Sequence, residues 1–317
     1  MIDAGWLSRL PVVASLPAGQ AAAKLREIGE DEIADALTAA PHGSPVTYGQ
    51  LPRLRGRVRP WLHTAHAIGY LPPVDAPRSE LLRITQASNI EADQTLKGAR
   101  VKLTLDGLRV ADYPGHGRHR ILFDFAARNQ TDQGPEQLHF NVTYLVADGE
   151  HAAAHGRPVF TGLRVCGEGL FLQYATVNVL NEDDEKLLRF LDNDAFKNGL
   201  QLLTTAQPVL APFSAVAVGI TQAIAARHRN VAVQAVDLGL DFSQIAPRPR
   251  LAEGSYIAVQ IPESQRARWQ WKEWRFDPAN GRVINAHQHD LLIPYNYIIM
   301  SISRYADEAG PSGVANA

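Results

Sequence analysis

The chain has 317 residues, 31 Lys and Arg against 33 Asp and Glu, a formal net charge of −2, and 45% hydrophobic residues. Near-neutrality removes the basic field that gathers nucleic acid, the apolar share is too high for intrinsic disorder, and the lone Cys166 excludes an intramolecular disulfide or a multi-cysteine metal site. At roughly 100–200 residues per domain the length suggests two units, and the cysteine usage fits a cytoplasmic home.

Met1 to Pro17 carries Trp6, Leu7, Leu10, Val12 and Val13 but neither the basic start nor the long apolar core of a signal peptide, so export by that route is not expected. From Ala18 to Ala40 the spacing of Leu25, Ile28, Ile33, Ala36 and Leu37 predicts two short helices broken near Gly29. Asp31 is the expected N-cap, with Glu30, Asp31 and Glu32 as capping acids. A further helix is expected over Trp61–Leu71, closed by Pro72 and Pro73. Residues 1–94 thus read as a small helical module that docks a protein partner.

From Lys97 the period changes to two, first in Val101, Leu103 and Leu105, then in Ile121, Phe123 and Phe125. Strands are predicted at Gln137–Val146, Val159–Cys166 and Leu170–Val179, in close succession and therefore antiparallel. The acids Glu182, Asp183, Asp184 and Glu185 introduce a helical insertion, 183–229, with Leu187, Leu188, Leu191 and Phe196 as its first apolar stripe. Strand character resumes at Val231–Phe242 and Ser255–Ile261. It continues in a hairpin joining Trp274–Phe276 to Val283–Ile284, and ends at Tyr295–Ile302. Residues 306–317 read as a flexible tail. The expected fold is α+β, mainly an antiparallel β-sandwich over 95–305 with the helical insertion, preceded by the small N-terminal helical module.

The segment Leu103 to Asn129 holds an alternating strand, then Val110-Ala111-Asp112-Tyr113-Pro114-Gly115-His116-Gly117, then a second alternating strand. In outline it resembles the first strand, calcium loop and second strand of C2 domains, β-sandwiches that often bind phospholipid through calcium. The resemblance covers about thirty residues and implies calcium ligation by Asp106 and Asp112. The paired aspartates of an opposing loop have no counterpart, because Asp237 and Asp241 fall within a strand.

Other residues point to binding chemistry. Arg53, Arg55, Arg57 and Arg59, extended, would form a stripe for an anionic partner. Trp269, Trp271 and Trp274 would form an aromatic surface, with 269 and 271 on one strand face. Asn198 to Ala226 carries no charge and is expected either to lie as a helical lid on the sandwich or to engage a membrane conditionally. Its apolar surface is Val209, Leu210, Phe213, Val216, Val218, Ile220 and Ile224. His151 and His155, placed on one helix face, with His287 and His289 from a loop, would suit zinc in a metal-dependent hydrolase. Cys166 reads as a buried small residue, and no nucleotide-binding, protease, kinase or hydrolase motif appears. The sequence therefore favours a non-enzymatic binding or effector protein, the hydrolase being the alternative.

Overall fold

Alternation of apolar with polar or small residues puts nearly half of the described residues into strands, almost all of them paired antiparallel, and the few helices lie against them. The computed structural model describes residues 10–39, 58–73, 80–131, 134–184, 187–188, 200–201, 210–244 and 247–305. Its strands are β1 (Ala65–Leu71), β2 (Leu82–Arg83), β3 (Thr85–Gln86), β4 (Arg100–Arg109), β5 (Arg118–Thr131), β6 (Gly134–Ala147), β7 (His151–Arg164), β8 (Gly169–Asn178), β9 (Leu200–Gln201), β10 (Val231–Asp241), β11 (Gly254–Ile261), β12 (Trp274–Asp277), β13 (Arg282–Asn285) and β14 (Tyr297–Arg304). Three helices are described: α1 (Ala18–Arg26), α2 (Asp31–Thr38) and α3 (Leu210–Ala225).

The first sheet runs β3-β1-β11-β14-β4-β7-β9, the second β10-β8-β5-β6 and the third β13-β12-β2. All of these pairings are antiparallel except β7 with β9. The long β5–β6 hairpin shows how pattern sets burial: Ile121, Phe123 and Phe125 on β5 and Phe140 and Val142 on β6 are buried in one hydrophobic cluster. Val101, Leu103 and Leu105 of the first sheet belong to the same cluster, and Phe140 meets Phe160 of β7 edge-on at 6.5 Å. Leu25 of α1 and Ile33 and Leu37 of α2 join it as well. A second cluster, with Ile257, Val283, Trp271 and Trp274, lies between the first and third sheets.

The expected helix over Trp61–Leu71 is absent. Pro60–Leu62 form a single 3-10 turn and Ala65–Leu71 are β1, paired with β11 from Ala65↔Ile261 to Leu71↔Ser255 and with β3 on the other side. A short apolar run bounded by prolines fits either period, and partner strands on both sides decide for extended backbone. Gly69 is needed there, because a Cβ would sit 2.5 Å from Ile84 Cγ2 and 2.8 Å from the Trp271 ring.

β7 also starts earlier than expected, at His151, so the spacing of His151 and His155 is that of a bulged strand and not of a helix. Asp184, expected to cap a helix, is fully buried, accepting from Asn230 Nδ2 at 2.5 Å and pairing with Arg227 at 2.7 Å. Glu30 likewise accepts from the Gly115 N–H at 3.0 Å in place of capping α2. Glu185, Leu191, Phe196 and the tail 306–317 lie outside the described residues.

Candidate functional site

The aromatic residues gather beside the third sheet, where Trp274 opens β12. The β12–β13 hairpin turns through Pro278–Gly281, where Asp277 accepts from the Ala279 N–H at 3.0 Å and from Asn280 Nδ2 at 2.7 Å. Before it, the 3-10 turns Glu263–Gln265 and Trp271–Glu273 bring Trp269 against the hairpin. Glu263 anchors this segment to the start of β1, accepting from the Thr64 N–H at 2.6 Å and meeting His63 Nδ1 at 3.0 Å. Burial works to raise its pKa, but these hydrogen bonds outweigh it and hold the carboxyl at about 2.

Trp271 and Trp274 are buried, whereas Trp269 is half-buried. Its ring stacks on Trp274 at 6.1 Å and 12°, and meets Trp271 at 5.5 Å and Tyr295 at 5.7 Å edge-on. Tyr295 is fixed by donating from its hydroxyl to Gln265 Oε1 at 3.0 Å. Trp269, Trp274, Tyr295 and Gln265, together with Arg268, Gln270, Glu273 and Pro294, line an open cavity of about 340 Å³. One cation, one anion and two amides on an aromatic floor suit a neutral ligand with a ring to stack and backbone-like polar groups. The tryptophan triplet is thus brought together, although by two tight turns and a hairpin and not by one strand face. Gln265, Pro294 and Tyr295 went unrecognised, since nothing in their spacing links them to residues 269–274.

The other expected sites fare differently. Arg53, Arg55 and Arg57 lie outside the described residues. Arg59 is no part of an exposed stripe: its guanidinium is 3.6 Å from Glu30 and 3.9 Å from Asp112, and 5.9 Å from the Trp61 ring centroid. Acids distant in sequence neutralise it, which local spacing cannot reveal.

Asp112 is 2% exposed and accepts from Trp61 Nε1 at 2.6 Å, while Asp106, on β4, accepts from Thr104 at 3.0 Å and from Ser301. The two aspartates serve separate partners and do not form a loop-tip pair. His151 meets Tyr297 at 2.7 Å, and His287 and His289 stand exposed in the loop after β13. The side chain of His155 lies outside the described residues. Among the described residues, no three His, Cys, Asp or Glu side chains are grouped to hold a metal ion. Cys166 is half-buried, and burial raises its thiol pKa.

In the uncharged segment, α3 rests on β6. Val218, Ile220 and Ile224 are buried, and Val216 is exposed. Its seat is polar as well as apolar, because Ser214 Oγ accepts from the His139 N–H at 3.1 Å and Asn141 Nδ2 donates to Ala217 O at 2.8 Å. Val209 and the side chains of Leu210 and Phe213 lie outside the described residues. No helix among the described residues is long and apolar enough to cross a membrane. Beneath α3, His139 and Asp124 meet at 3.3 Å, both within 1% of full burial, and burial raises the Asp124 pKa.

His66 and His151 carry a shared consequence for stability. Burial lowers each pKa from 6.5 to about 4, with Arg109 and Arg282 adding to the effect at His151. The unfolded chain therefore takes up these protons first, so the stabilisation is intact above pH 6.5 and is lost as pH falls towards 4. Denaturant titrations at pH 7 and pH 4.5 should differ by on the order of 3 kcal/mol from these two groups. The His151→Gln variant should show a shallower pH dependence over that range, and an unchanged slope would remove His151 from the explanation.

Comparisons with known protein families, with curated proteins and with solved structures find no match.

Proposed function

We propose that this chain is a non-enzymatic binding protein. Its sheets, read as a β-sandwich of C2-like outline, form the scaffold, and the aromatic pocket on the third sheet receives an extended, proline-bearing segment of a partner protein. The observation that carries the reading is Trp269, half-buried among Trp271, Trp274 and Tyr295 beside a cavity of about 340 Å³. Proline rings stack on aromatic faces, and a polyproline helix is already extended, so docking it costs little conformational entropy. The balanced charges of Arg268 and Glu273 at the rim favour such a segment over an anionic surface. Membrane engagement through α3 would require the helix to leave β6, where Val218, Ile220 and Ile224 are buried. In this reading the helix stays docked and the protein works in the cytoplasm.

A fluorescently labelled proline-rich decapeptide, followed by anisotropy against the full chain, tests the proposal. Binding should weaken about thirtyfold in Trp269→Ala, the effect of losing a hot-spot aromatic worth ~2 kcal/mol. Equal affinity of the two proteins, or saturable binding of a neutral oligosaccharide with none of the peptide, would sink the peptide assignment.

A further inference from the structure

At one level of the first sheet, three residues stand side by side on adjacent strands: Tyr297 of β14 opposite Arg109 of β4, and Arg109 opposite His151 of β7. Register partners point to the same face, and this face is the one covered by the third sheet, since Tyr297 belongs to the cluster with Val283 and Trp271. Arg109 is 5% exposed. Its guanidinium donates to two backbone carbonyls, Gly149 O at 2.9 Å and Ile293 O at 3.3 Å, and no carboxylate among the described residues pairs with it. The acids nearest in the chain, Asp106 and Asp112, accept from Thr104 and Ser301 and from Trp61 Nε1, and those on either side of Gly149 are committed elsewhere as well. Asp148 accepts from the Tyr113 N–H at 3.0 Å and contacts His119, and Glu150 accepts from the Ala147 N–H at 3.0 Å. A second cation, Arg282 at the start of β13, is close enough to act on both Arg109 and His151, and its side chain is exposed. Buried charges in proteins are mostly paired, so this buried guanidinium, with another cation beside it, lacks a counter-ion among the described residues.

The hydrogen-bond order supplies a further donor. The Val283 N–H donates to Tyr297 Oη at 3.0 Å, leaving the phenol proton to be donated to His151 Nε2 at 2.7 Å. A neutral imidazole that accepts at Nε2 carries its proton on Nδ1. We propose that Arg109, Arg282 and His151 form a binding site for a small oxyanion, a phosphate or carboxylate group, with Arg109 as its buried anchor and Arg282 at its solvent-facing mouth. The planar guanidinium matches two oxygens of such a group, and the imidazole Nδ1–H offers a third contact. This site is separate from the aromatic pocket and does not depend on its ligand.

Calorimetric titration of the full chain with inorganic phosphate, and separately with acetate, at constant ionic strength provides the test, and the stronger of the two shows which oxyanion the site prefers. Saturable binding of at least one is expected, weakened about tenfold or more in Arg282→Gln, whose exposed position leaves the fold intact, and abolished in Arg109→Gln if that variant folds. The imidazole signal of His151 in a proton NMR titration should move to higher pKa on adding the bound anion, because a negative charge then faces the ring. Absence of saturable binding of both anions, or equal binding by the wild type and Arg282→Gln with an unmoved His151 titration, would overturn the proposal.

Discussion

A chain beginning at residue 96 should fail to fold. It would lack β1, whose seven residues pair with β11 throughout their length, and with it Trp61, which is fully buried. It would also lack Leu25, Ile33 and Leu37, which pack into the same cluster as Val101 and Val231. Removing one large aromatic side chain from a core costs about 3–5 kcal/mol, and net stabilities are about 5–15 kcal/mol, so loss of a strand, a tryptophan and two helices exceeds the margin. Near-ultraviolet circular dichroism and gel filtration of a 96–317 fragment should show no fixed aromatic environment and an expanded chain. A cooperative thermal transition in that fragment would instead mark residues 1–95 as an accessory unit.

Substitution of Asp112 by Ala is expected to be the most damaging single change at the polar seam between the N-terminal segment and the sheets. Asp112 is 2% exposed, accepts from Trp61 Nε1 at 2.6 Å, and lies 3.9 Å from Arg59. Around it, Asn296 Nδ2 donates to the Asp112 carbonyl and to Gln260 Oε1, each at 3.0 Å, and Gln260 donates to the His63 carbonyl at 2.7 Å. Truncation would strand an indole N–H and leave Arg59 with Glu30 alone, 3.6 Å away. Breaking a buried pair from one side costs about 3–5 kcal/mol, and Asp112→Asn, which keeps an acceptor, should cost less. Urea titrations of the three proteins measure this order. If Asp112→Ala were as stable as the wild type while calcium raised the melting temperature of the wild type alone, Asp112 would be a cation ligand as the C2 resemblance implied.

Much of the sheet architecture is legible in the sequence because period-two alternation is a local property. β5, β6, β8, β10, β11 and the β12–β13 hairpin all fall within a few residues of their expected places. Trp61–Leu71 misled because its period is ambiguous and the strands that settle it, β11 and β3, are distant or very short. The aromatic site was half legible: the tryptophans cluster in sequence, whereas Tyr295 and Gln265 reach the pocket only through the fold. Charge was least legible. Arg59, read as part of a surface stripe, is half-buried and drawn to Glu30 and Asp112, while Arg109, unremarkable within a strand, is buried with no acid paired to it among the described residues. Counter-ions are chosen by three-dimensional proximity, and spacing along the chain carries no record of them.

The claim that the third sheet presents a binding pocket is tested most directly by the indole N–H signals in a nitrogen–proton correlation spectrum of the full chain. The five tryptophans are Trp6, Trp61, Trp269, Trp271 and Trp274. Addition of the proline-rich decapeptide should shift the signals of Trp269 and Trp274 in a saturable manner while that of Trp61, fully buried beside Asp112, stays in place. Unmoved Trp269 and Trp274 signals at saturating peptide, or equal shifts at all five positions, would contradict a binding pocket on the third sheet.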